Sequence, residues 1–175
     1  RYHDLYSLDS SGLTPNDTTN PQYLRLAYTI DNNMDAKTYG IEIASDWDVN
    51  EWWRLHSAYT FLQMETRLKE NNIDLADIEG RDPHHQFSLR SRMDWGRAFE
   101  FDLWLRYVDE LPSMRIKSYV TPDVRLGWKP APALEFSIVG RNLTHHHRKE
   151  FISELINTPP TGTERSFLGK MTLSF

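Results

Sequence analysis

Apolar and polar residues alternate one by one along most of this chain. From Trp53 the odd positions read Trp53, Leu55, Ser57, Tyr59 and Phe61, and the even ones Arg54, His56, Ala58 and Thr60. Phe87, Leu89, Met93 and Trp95 alternate with Ser88, Arg90, Arg92 and Asp94. Phe99, Phe101, Leu103, Leu105 and Tyr107 alternate with Glu100, Asp102, Trp104 and Arg106. The pattern continues in Val120, Val124, Leu126 and Trp128 against Asp123, Arg125 and Lys129, and in Leu134, Phe136 and Ile138 against Glu135, Ser137 and Arg141. It closes with Phe167, Gly169, Met171, Leu173 and Phe175 against Lys170, Thr172 and Ser174. Successive side chains of a strand point to opposite faces, so each run predicts a strand with one apolar and one polar face. Helical spacing fits none of them.

The links between runs alternate too. Short ones (49–51, 96–98 and 129–133) follow long ones at about Ser10–Pro21, Lys69–Pro83, Pro112–Lys117 and His145–Thr163, where Gly, Pro, Asn and Asp collect. The piece 72–79 is a candidate helical turn. Between Leu24 and Trp47 the phase slips: Leu24, Leu26, Tyr28 and Ile30 are even, whereas Tyr39, Ile41, Ile43 and Trp47 are odd. Either a bulge lies within 31–37 of one long strand, or a hairpin turns there. The bulge is the better fit, because it leaves eight strands with short and long links in strict alternation.

Composition changes the picture in two ways. The 175 residues carry 20 Lys+Arg against 25 Asp+Glu, a net charge of −5 that argues against a dedicated nucleic-acid binder. Cys is absent, which excludes a disulfide scaffold, a thiolate metal site and a cysteine nucleophile. A mean hydropathy of −0.64 with no long apolar run excludes a membrane helix. That average hides a period of two, so it leaves a membrane strand protein open. The chain begins at Arg1 without an initiator Met, which suggests a piece of something longer.

The 22 aromatic residues are unevenly placed. Trp47, Trp52, Trp53, Trp95 and Trp128 flank the short links, and only Trp104 falls mid-strand. Five indoles at one end of a sheet suit a membrane–water interface, where aromatic girdles form. Trp closing the end of a soluble sandwich core is the plainer alternative. Link lengths decide between them, because outer-membrane barrels join short turns at one end to long loops at the other, whereas nothing imposes that alternation on a sandwich. An apolar-faced sheet in hydrocarbon must also close, or its edge N–H and C=O groups stay unpaired. The expected fold is therefore an all-β, antiparallel transmembrane β-barrel segment. Its expected wet face carries Glu42, Asp46, Arg54, Glu65, Arg90, Arg92, Asp94, Glu100, Asp102, Arg106, Asp123, Arg125, Glu135 and Arg141, with opposite signs on neighbouring strands.

Several stretches are similar to one known family. Thr38-Tyr39-Gly40-Ile41-Glu42-Ile43, Asp46-Trp47 and Trp52-Trp53-Arg54-Leu55 resemble segments of TonB-dependent outer-membrane receptors. So do Pro83-His84-His85-Gln86-Phe87-Ser88-Leu89-Arg90-Ser91, Leu105-Arg106-Tyr107-Val108-Asp109-Glu110-Leu111-Pro112, Asp123-Val124-Arg125-Leu126-Gly127-Trp128 and Val139-Gly140-Arg141-Asn142-Leu143. Gly169-Lys170-Met171-Thr172-Leu173-Ser174-Phe175 looks like the family's closing strand. The resemblance runs from about Tyr23 onward and rests on the order of the motifs, since each alone is weak. It implies that residues 1–175 are the last eight strands or so of a 22-stranded barrel. The family's plug domain has no counterpart here. Implied with it are uptake of a scarce nutrient such as an iron–siderophore complex, bacterial outer-membrane localisation, and energy from TonB through the missing plug. Phe167, Met171, Leu173 and the terminal Phe175 resemble the signal read by the barrel-assembly machinery.

Candidate chemistry is sparse. His145, His146 and His147 with His84 and His85 invite a metal reading, but a loop run of His fixes no geometry, and no metal site or cofactor is expected. Arg141, Arg148, Lys149 and Arg165 nearby would attract an anionic metal chelate. Candidate ligand contacts are thus His84, His85, Arg115, His145, His146, His147 and Arg148. Asp74, Asp77 and Glu79 form an acidic cluster without the spacing of a calcium loop. No phosphate loop or nucleophile elbow appears, so an enzyme is not expected. Expected partners are outer-membrane lipid, TonB, the assembly machinery and a small metal chelate, and no nucleic acid. Two rivals stay open: a self-contained eight-stranded barrel with a porin-like or structural role, and a soluble all-β carbohydrate-binding module.

Overall fold

The computed structural model describes residues 1–15, 24–69, 79–144, 147–151, 159 and 161–175. Ten strands follow in chain order: β1 (Tyr2–Pro15), β2 (Leu24–Asn50), β3 (Trp53–Leu68), β4 (His85–Trp95), β5 (Phe99–Val108), β6 (Tyr119–Ala131), β7 (Leu134–Arg141), β8 (His147–Phe151), β9 (Thr161–Glu164) and β10 (Ser166–Leu173). Eight make one antiparallel sheet in the order β1-β2-β3-β4-β5-β6-β7-β10, while β8 and β9 pair as a separate hairpin. Among the described residues no helix is long and apolar enough to cross a membrane, which says nothing about strands. The turns after β2, β4 and β6 lie at one end of the sheet and the long links at the other. Gly96 supplies the positive φ (63°) that the second tight turn needs.

β2 is continuous, so the phase slip is a bulge. Leu5 pairs with Met34 and Ser7 with Asp31, which places one extra β2 residue opposite the β1 step. Asp31 stabilises the bulge by accepting from the backbone N–H of Asn32 at 2.7 Å and from Asn33 Nδ2 at 3.1 Å. From Met34 to Asp48 the pairing with β3 is regular.

Register builds two opposed faces. One carries the row Trp95–Phe99–Trp128–Phe136–Met171 beside the short turns, then Met93–Phe101–Leu126–Ile138 in the next row. The other carries Asp48–Arg54–Arg92–Asp102–Arg125 and, one row farther from the turns, Asp46–His56–Arg90–Trp104–Asp123. A single layer has no interior. Among the described residues the buried apolar set is only Met34, Ala36 and Ile116, whereas Ile41, Ile43, Trp47, Phe87, Leu126, Ile138 and other large apolar side chains are exposed. An apolar surface of that extent needs an apolar medium or partner.

Three expectations are corrected. β1 continues to Pro15 instead of ending at Ser10, since its ladder with β2 persists to Pro15–Leu24. The link from His145 to Thr163 holds the β8–β9 hairpin. Glu65 belongs to the apolar side of β3, where it accepts from Tyr39 Oη at 3.3 Å and faces Lys37 at 3.8 Å. The candidate helical turn at 72–79 lies outside the described residues up to 78, and at its last residue a 3-10 turn, Glu79–Arg81, begins. Glu79 ties that turn to β3 by accepting from Thr66 Oγ1 at 3.0 Å. At the same end Lys69, just past β3, hydrogen-bonds the Asp4 carboxylate. That bond holds the Lys69 pKa above its usual value although partial desolvation pulls it down.

Candidate functional site

The polar face divides into two zones. Next to the short turns lies a salt-bridge network centred on Arg125 of β6, which reaches Glu100 at 2.7 Å, Asp102 at 3.1 Å and Glu135 at 2.7 Å. Arg92 also faces Asp102 at 3.3 Å, Lys129 bonds Glu100, and Arg54 bonds Asp94 at 2.6 Å. The row Arg92–Asp102–Arg125 alternates base and acid across β4 to β6, and Arg125 and Lys129 also reach the acids of the next row, so these charges neutralise one another locally. This zone has little unsatisfied charge to offer a ligand.

The second zone, farther from the turns, is a cavity of about 590 Å3. Its wall includes Arg90, Trp104, Arg106, Asp123, Arg141 and Asn142. Strand pairing sets Arg90 beside Trp104 and Trp104 beside Asp123. Trp104 is fixed by its indole N–H donating to Ser88 Oγ at 2.8 Å, and the Arg106 guanidinium lies 4.4 Å from its ring centre, a cation–π contact. Arg106 donates to Asp123 Oδ2 at 2.6 Å. Arg90 and Arg141 have no carboxylate partner among the described residues.

Asn142 closes the outer side. It is 2 % exposed, has a φ of 53°, donates its backbone N–H to Asp123 Oδ1 at 2.9 Å and its Nδ2 to the Thr163 carbonyl at 3.0 Å. The same residue therefore ties β7, β6 and the β9 strand of the outer hairpin together. Chemically, the cavity sets the guanidinium groups of Arg90 and Arg141 beside the face of Trp104, with the carboxylates of Asp102, Asp123 and Glu150 on the same wall, so it offers both charge and aromatic surface to a polar ligand with flat or ring-like groups.

The expected contact residues are scattered. His84 precedes β4, and its carbonyl accepts from Leu62 N at 3.0 Å. His85 sits on the apolar face, with its Nδ1 2.8 Å from Tyr59 Oη and its ring 5.2 Å from that of Phe61. Arg115 is exposed in the β5–β6 link with a left-handed φ of 53°. His145 and His146 lie outside the described residues. His147 and Arg148 start β8, opposite Glu164 and Thr163. No group of three or more metal-binding side chains occurs among the described residues. Sequence reasoning missed Trp104 and Asn142 as site residues. Trp104 had a signal, being the one Trp on the polar phase of its strand, whereas Asn142 stood out only as part of the Val139–Leu143 stretch that resembles the family.

The pattern of this face matches a known architecture. Residues 1–143 match the family model described as TonB dependent receptor-like, beta-barrel. The chain belongs to this family. Its members are transport receptors of the bacterial outer membrane, not enzymes, and the eight-stranded open sheet is a part of such a barrel. Among solved structures, the chain is similar to the ferric-catecholate import receptor Fiu from K12 E. coli in its closed form. That match has a TM-score of 0.67 and 18 % identity over 95 % of this chain and 24 % of that one. It is also similar to FpvAI in its complex with pyocin S2, with a TM-score of 0.64 and 15 % identity over 97 % of this chain and 23 % of that one. At these identities the likeness concerns the fold, and the chain spans about a quarter of either relative. No curated protein sequence matches the chain.

Proposed function

We propose that the chain is the C-terminal segment of a TonB-dependent receptor barrel in the bacterial outer membrane, serving uptake of an iron–siderophore complex. The observation that carries this reading is the polar-face cavity, where Arg90 and Arg141, without a carboxylate partner among the described residues, lie beside the braced Trp104. An iron chelate with net negative charge and ring-like ligand groups finds there both charge and aromatic surface. The fold likeness to a ferric-catecholate import receptor supports the same direction.

In this reading the long-link end faces outward, and His84, Arg115, His145, His146, His147 and Arg148 meet the ligand before it reaches the cavity. His85 faces lipid with Tyr59 and contributes to the outer rim instead. The exposed apolar face meets outer-membrane lipid, and Trp47, Trp52, Trp53, Trp95 and Trp128 form its girdle at the short-turn end. Phe167, Met171 and Leu173 on the exposed apolar face of β10, with Phe175 just past it, are offered to the assembly machinery. TonB would act through the plug of the whole receptor.

The test is growth of a receptor-deleted strain on defined iron sources, complemented with the full-length receptor or its R90A/R141A variant. Loss of growth on one siderophore is expected, with about tenfold weaker binding of that chelate by the variant. Unchanged growth on every iron source sinks the assignment to siderophore uptake. Unchanged affinity in the variant moves the ligand away from this cavity.

A further inference from the structure

The apolar face has a cavity of its own beside the short turns. It measures about 370 Å3 and is lined by Trp95, Phe99, Leu126, Trp128, Phe136 and Ile138. Glu100, Gly127 and Ser137 also border it, but strand alternation sends the Glu100 and Ser137 side chains to the polar face, so they contribute backbone. Two ring stacks brace its walls: Trp95 lies 6.1 Å from Phe101 at 10°, and Trp128 lies 5.8 Å from Phe136 at 26°.

The indoles at this end differ in how they are satisfied. Trp53 donates to Ser91 Oγ at 2.9 Å, and Trp104 on the other face donates to Ser88. Trp95 and Trp128 are 50 % and 46 % exposed, and neither N–H has an acceptor among the described residues. Arg97, in the turn next to Trp95, is exposed and has no carboxylate partner among the described residues. The groove thus combines an apolar floor, two free N–H donors at its rim and one cation just beyond it.

We infer that this groove seats one acyl chain of a diacyl phospholipid at the short-turn end of the barrel. Ester or phosphate oxygens accept from the Trp95 and Trp128 indoles, and the phosphodiester faces Arg97. A glycan or peptide laid in the groove would leave polar groups unpaired against apolar side chains, a cost an acyl chain does not incur. The donors and the cation lie where the interfacial oxygens of a bilayer lipid begin. The inference rests on the reading of this face as lipid-facing, and it adds a defined seat to the general belt.

The full-length receptor, purified in mild detergent and stripped of lipid, is titrated with phosphatidylglycerol and phosphatidylethanolamine. Bound lipid is counted by native mass spectrometry. Leu126→Trp fills the groove from an exposed position that tolerates a large aromatic side chain. One retained phospholipid is expected on the wild type, with occupancy about tenfold lower in L126W at equal lipid, and a smaller loss in W95F/W128F. Equal retention by wild type and L126W, or no retained lipid on the wild type, overturns the inference. Heat-modifiable migration in vesicles separates the two levels. A receptor that inserts but retains no lipid loses only the seat, whereas one that fails to insert loses the lipid-facing reading as well.

Discussion

Arg125 shows how much one side chain carries in a sheet with no interior. It is half-buried and sits against three carboxylates, Glu100, Asp102 and Glu135, within 3.1 Å. Arg125→Met leaves those acids facing one another, and a cost of about 2 kcal/mol is expected from the lost charged hydrogen bonds. The exposed Arg54–Asp94 pair at 2.6 Å is worth less than about 1 kcal/mol, because water screens it. Urea midpoints of Arg125→Met and Arg54→Met in the full-length receptor check this, and equal shifts would contradict the ranking. Gly40 is a second dependency. A Cβ there would stand 2.3 Å from the Phe61 carbonyl oxygen, which is backbone and cannot swing aside, whereas one at Gly169 meets nothing within 4 Å. G40A is therefore expected to lose about 1–3 kcal/mol through overpacking, with G169A close to wild type in the same urea series.

At the scale of elements, the outer hairpin β8–β9 is joined to the rest of the chain by hydrogen bonds. Asn142 Nδ2 to the Thr163 carbonyl is one of them, and the same residue occupies a left-handed φ of 53° that Asn tolerates better than Ala. Asn142→Ala should free the hairpin while leaving β1 to β7 paired. Hydrogen exchange checks this: protection at 147–151 and 161–164 should fall while that of β5 and β6 holds, and unchanged hairpin protection would show that other contacts suffice. Asn142→Gly separates the causes, since it removes the side-chain bond without the backbone strain. This hairpin is also what sequence pattern could not reveal. His147-Arg148-Lys149-Glu150-Phe151 and Thr161-Gly162-Thr163-Glu164 are mainly polar, so no alternation marks them as strands. The eight sheet strands were legible because one face of each is apolar, and the β2 bulge was legible because it shifts that apolar phase by one residue. The cavity was less so: it arises from Arg90, Trp104 and Arg141 meeting across three strands, and register between distant strands is not written in any one of them.

For the whole molecule the deciding fact is that the sheet stays open. β1 and β10 are its two edges and do not pair with each other. In hydrocarbon each unpaired N–H and C=O is costly, so these edges need further strands. Closing the eight strands on themselves would satisfy them, but an eight-stranded barrel has an interior only just filled by side chains. Arg54, Arg90, Arg92, Arg106, Arg125 and Arg141, with the acids around them, would all have to fit inside it. Arg90 and Arg141, which lack carboxylate partners among the described residues, would be buried as bare charges, a state proteins avoid. The larger circumference of the family's barrel instead leaves this face lining a wide lumen. Residues 1–175 refolded alone into phosphatidylcholine vesicles are therefore expected to give aggregates without a compact, heat-modifiable monomer band, whereas the full-length receptor gives one. A stable monomeric band from the 175-residue chain, protected from protease across all eight strands, would instead establish the self-closed barrel and remove the need for any further strand.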